Sequence, residues 1–136
     1  VIGTLLLVVG TLAGASTPAS PLSVVVQSAR GEARVPVRLD PQGNPVLPAP
    51  VLLAAIEAKA TVGSTWADVT VGTRTFRFIL GAPLYSVDGK LRPIVGAASV
   101  RRDTLQLPIQ FVSEILPRNF SQRFRYDGRL ARLVDN

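Results

Sequence analysis

Apolar and polar residues alternate along much of this chain, and the alternation predicts more strand than helix. In "TFRFIL", Phe76, Phe78 and Leu80 fall on one side of an extended backbone and Arg77 on the other, because strand side chains point alternately to the two faces. Strands are therefore expected over residues 68–71 and 75–80, with Gly72 in the turn between them. Upstream, residues 22–27 and 33–39 read as two strands around "SARGE", where Gly31 supplies the permissive backbone. Asp88-Gly89 reads as a two-residue hairpin turn with positive φ at both positions, and Asp127-Gly128 is expected to turn another hairpin. In the last hairpin Phe124 and Tyr126 share one face and Arg123 and Arg125 the other.

Two stretches change the period. In "PVLLAAIEAKA", Pro50 suits the first turn of a short helix, and Val51, Leu52, Ala55 and Ile56 recur at helical spacing toward a core. In "LPIQFVSEILP", Pro108 is expected to start a helix and Pro117 to end it. Phe111, Val112, Ile115 and Leu116 form its apolar stripe, with Glu114 facing out. "DPQGNPVLPAP" reads as a loop and "VGAASVRRDTLQ" as a linking stretch. Each half then holds a proline-started helix followed by a hairpin, which suggests an internal duplication. The expected fold class is α+β: two helix–hairpin repeats, with a mostly antiparallel, curved sheet packed on two short helices.

The N-terminus follows neither period. "VIGTLLLVVGTLAGASTPAS" is apolar from Val1 to Leu12, and no charge precedes Arg30. That run is shorter than the roughly 20 residues a membrane-spanning helix needs. With Ala13-Gly14-Ala15 as a small-x-small site it fits a secretory signal peptide over 1–15, truncated because the initiator Met and basic flank are missing. A buried strand is the alternative reading. A Ser/Thr/Pro linker over 16–21 would lead into one domain over 22–136, exported to a periplasmic, wall-associated or secreted location. No stable membrane span is expected.

Composition narrows the chemistry. The 136 residues contain no His, Cys or Met, which removes disulfides, thiol nucleophiles, imidazole bases and the usual soft metal sites. No cofactor is expected. Ser113 has neither a strained elbow nor a histidine partner, and no phosphate-cradling or dinucleotide motif occurs. Glu57 and Glu114 lie on the two expected helices. As a pair they could act on a glycosidic bond, but each is also what the polar side of an amphipathic helix requires. Asp88 and Asp127 are explained by turns.

The net charge of +6 falls wholly after the leader. A basic face can bind anionic glycans, acidic lipids or nucleic acid, or simply keep a sheet solvated. Export and the lack of interleaved aromatics make nucleic acid the poorest of these. The candidate binding residues are Arg77, Arg123, Arg125 and Arg132, with Trp66 and Tyr85 as rings that would stack on sugars if exposed. With aromatics at 6%, burial of those rings is the competing reading.

The segment from Phe76 to Val134 resembles the copper-amine-oxidase-N-terminal-like domain of exported bacterial envelope proteins. The resemblance rests on Val87-Asp88-Gly89-Lys90, on Leu107 to Leu116 and on Tyr126-Asp127. Pro117 stands where the family usually has Gly, and Gln110 where it usually has Arg. The resemblance implies a non-catalytic accessory module. Such modules often precede a zinc-dependent N-acetylmuramoyl-L-alanine amidase domain, so a covalently linked downstream catalytic domain and a cell-wall glycan or peptidoglycan are the implied partners. A chain without His cannot build the copper site of an amine oxidase.

Overall fold

A computed structural model describes residues 21–136. The leader expected over 1–15, and all of the expected linker except Pro21, lie outside the described residues. Among the described residues thirteen strands, β1 Ser23–Ser28, β2 Gly31–Pro36, β3 Arg38–Leu39, β4 Pro45–Pro48, β5 Lys59–Val62, β6 Trp66–Val71, β7 Arg74–Ile79, β8 Leu84–Val87, β9 Lys90–Pro93, β10 Ser99–Arg101, β11 Thr104–Pro108, β12 Phe124–Asp127 and β13 Arg132–Asp135, form three sheets. Their orders are β12-β13-β1-β2, β10-β11-β4-β3 and β5-β6-β7-β8-β9. Among the described residues every pairing is antiparallel except β1 with β13. The described residues are mixed α+β, mostly antiparallel, with two short helices.

Helix α1, Ala49–Ala55, has Pro50 in its first turn, as expected. Its buried face is Ala49, Leu52 and Leu53, continued by Ile56, whereas Val51 is exposed. The core stripe is thus turned by one position from the expected one, to the spacing i, i+3, i+4, i+7. The helix closes in a Schellman arrangement: the Ala58 N–H donates to the Leu53 carbonyl at 2.8 Å, and Glu57 takes φ 56°. Strands of all three sheets pack against α1.

The second helix differs more from its expectation. Pro108 ends β11 instead of starting a helix, and a π-helical turn over Phe111–Ile115 runs into helix α2, Leu116–Asn119. Pro117 sits in the first turn of α2 rather than terminating it. A proline ring has no N–H and crowds the carbonyl four residues back. The preceding turn widens, and the Leu116 N–H reaches the Phe111 carbonyl, five residues back. The apolar stripe survives, with Phe111, Val112, Ile115 and Leu116 all buried.

Two further segments are strands. The stretch read as a loop contains β4, and the one read as a linker folds into the β10–β11 hairpin. Arg102 and Asp103, with φ 52° and 61°, make its turn. The Asp88-Gly89 turn is as expected, with φ 53° and 76°.

Most of the core is Val, Leu, Ile and Ala, but the aromatic rings are gathered together. Phe111 meets Phe76 and Phe78 edge-on at 5.7 and 5.6 Å, Tyr85 lies against both, and Phe120 bridges Phe76 to Phe124. Such edge-to-face pairs add to burial. Among the described residues no helix is long and apolar enough to cross a membrane.

Candidate functional site

Strand alternation puts Trp66, Asp68 and Arg77 on the outer face of the five-stranded sheet, opposite buried Ala67, Val69, Phe76 and Phe78. Asp68 and Arg77 are cross-strand partners. Arg77 Nε and Nη2 donate to the two Asp68 carboxylate oxygens at 2.7 and 2.9 Å. These hydrogen bonds hold the Asp68 carboxyl below its ordinary range, against the opposing pull of desolvation. The Arg77 guanidinium also lies 4.4 Å from the Trp66 ring centroid. On the indole, Gly63 packs so closely that a methyl there would come within 2.5 Å of Cε2. Trp66 is half-buried and already has a cation on its ring.

Tyr85 is 1% exposed, enclosed with Phe76 and Phe78. Its proposed stacking on sugars is corrected accordingly: β8 turns the ring inward at Val87's side of the sheet, and it belongs to the core.

Two of the remaining arginines are also committed. Arg123 holds both carboxylate oxygens of Asp135 at 2.7 and 3.1 Å and donates to the Ile56 carbonyl at 2.8 Å. Arg132 donates to Gln27 Oε1 at 2.7 Å and to Glu32 Oε2 at 2.6 Å. Arg125 is exposed on β12, with no side-chain hydrogen bond or ion pair among the described residues. The expected arginine face is therefore largely neutralised, and its four residues do not converge on one place. Glu57 pairs with Arg30 at 3.5 Å, while Glu114 is exposed on the π turn. Among the described residues no cluster of three carboxylates suits a metal ion.

A different set converges. Arg38, Arg101 and Arg102 line one cleft of about 390 Å³ on the outer face of the β10-β11-β4-β3 sheet, with Ser99, Thr104 and Gln106. Sequence reasoning missed these residues. The available signal was the alternation around "SVRRDTLQL", in which Leu105 and Leu107 turn inward and Thr104 and Gln106 outward. No family model, curated protein or solved structure matches the chain.

Proposed function

We propose that this chain is a non-catalytic targeting module of an exported envelope protein. It would hold a linked catalytic domain, a zinc-dependent N-acetylmuramoyl-L-alanine amidase, against the anionic polymers of the cell wall. The observation that carries the reading is that Arg38, Arg101 and Arg102, which form no ion pair among the described residues, line one cleft. Guanidinium forks recognise carboxylate and phosphate groups. The wall and amidase context comes from the sequence resemblance, and the charge-free leader supports export. As part of the same proposal, α1 with β6–β7 and α2 with β12–β13 derive from one duplicated helix–hairpin unit on a curved sheet.

Sedimentation with purified peptidoglycan tests the targeting role. Binding at low salt that is released as salt rises is the expected result, and no binding at low salt would remove it. A second reading is a structural or protein–protein interaction module, favoured by the internal pairing of Arg77, Arg123 and Arg132. Recovery of a defined protein partner with no affinity for wall glycan would select it.

A further inference from the structure

We infer that the cleft on the outer face of the β10-β11-β4-β3 sheet is a binding site for a small, multiply charged oxyanion, carboxylate or phosphate. The register builds it. Arg38 pairs with Val46 across β3–β4, Arg101 with Thr104 and Ser99 with Gln106 across β10–β11. On β11 these outward residues alternate with Leu105 and Leu107, which are buried on the other face. Arg102 joins them from the turn.

The charge is one-sided. Three arginines are among the residues that line the cleft, and Asp40 is its one acidic residue. Asp40 Oδ1 is tied to its own loop, accepting from the Gln42 and Asn44 N–H groups at 3.0 and 2.8 Å. Elsewhere the chain readily puts a carboxylate beside an arginine, as at Arg77–Asp68, Arg123–Asp135 and Arg132–Glu32. Here the cross-strand partners are Val46 and Thr104. Arg38, Arg101 and Arg102 have no side-chain hydrogen bond or ion pair among the described residues. Two other clefts hold Arg30 and Arg123, which are both paired.

Turn chemistry is the second observation. Two-residue turns with positive φ at both positions favour Asn-Gly or Asp-Gly, and Asp88-Gly89 conforms. The β10–β11 turn instead places Arg102 at φ 52°, where a long side chain is disfavoured. Backbone strain of this sort concentrates at ligand-holding positions.

Arginine forks fit planar carboxylates and phosphate oxygens in pairs, and Ser99, Thr104 and Gln106 can serve hydroxyl or further oxygen atoms of the ligand. A cleft of about 390 Å³ accommodates an anion of citrate size. A second cleft of about 630 Å³ shares Asp40, Pro41, Ser99 and Arg101 with it. The assignment rests on the targeting proposal only for the natural source of the anion.

Titration of the chain with citrate and with inorganic pyrophosphate, read by calorimetry at low salt, tests it. Saturable binding of at least one is expected, weakened roughly tenfold or more by Arg101→Gln or Arg38→Gln. Arg125→Gln serves as the control and should leave affinity essentially unchanged, with thermal unfolding verifying that each variant is folded. Preference for citrate identifies a carboxylate source, and preference for pyrophosphate a phosphate source. No binding of either anion, undiminished binding in the Arg38→Gln/Arg101→Gln/Arg102→Gln variant, or equal weakening by Arg125→Gln would overturn the assignment. Anion binding without peptidoglycan sedimentation would retire the wall proposal alone, and sedimentation without anion binding would retire the cleft alone.

Discussion

Arg123 grips Asp135 through two donors, Nε to Oδ1 at 2.7 Å and Nη2 to Oδ2 at 3.1 Å, and the same Nη2 reaches the Ile56 carbonyl. One side chain thereby joins the approach to β12, the end of β13 and the end of α1. The pair is mostly shielded, with side chains 32% and 10% exposed. Arg123→Ala should lower unfolding free energy by about 1–3 kcal/mol, because it strands a shielded carboxylate and a carbonyl. Arg125→Ala should stay within about 0.5 kcal/mol. Urea denaturation of both variants checks this, and equal effects would mean that the pairing contributes nothing.

Asp68 gives the fold an acid-sensitive part. Its folded carboxyl is held low chiefly by the Arg77 hydrogen bonds, so its contribution is present above the unfolded value of about 3.9. That contribution is lost as pH falls through the lower folded value. Denaturation midpoints measured below about pH 4 should fall more steeply for the native chain than for Asp68→Asn. Parallel acid limbs would show that the pair is too solvated to matter.

Glu57 occupies the left-handed position that ends α1, a place where glycine is preferred. Its ion pair with Arg30 is 3.5 Å long and exposed on both sides, hence worth little. Glu57→Gly should stabilise the protein by a few tenths to about 1 kcal/mol. A lower melting temperature in the variant would show that the Arg30 contact outweighs the backbone strain.

Phe111 is fully buried and meets two rings of the five-stranded sheet. Phe111→Ala should cost about 3–5 kcal/mol. A loss under about 1 kcal/mol in chemical denaturation would mean that the site collapses around the deletion.

What could be read from the sequence was local. Asp88-Gly89 names its own turn, Pro50 marks a helix start, and the alternation of Phe76, Arg77 and Phe78 fixes a face. The β10–β11 hairpin was hidden because Arg102-Asp103 runs against turn preference. Strand β4 was hidden because prolines bound it at both ends, Pro45 and Pro48, where they remove ladder donors. The widened turn at Phe111–Ile115 depends on how Pro117 is accommodated, and the apolar stripe does not encode that. The cleft was least legible of all. Arg38 and Arg101 share it only because β3 and β10 lie in one sheet, and nothing near either residue announces the other.

The parallel pairing of β1 with β13 also constrains how the chain comes to be folded. Gln27 and Arg132 are 105 positions apart, and buried Leu133 sits opposite Val26. During synthesis β1 can pair with β2 early, but its other edge must wait for β13. Until then Val24 and Val26 have an open edge beside them. The loop closure is slow and entropically costly, so the β1–β13 edge cannot form before Arg132–Asp135 have been made.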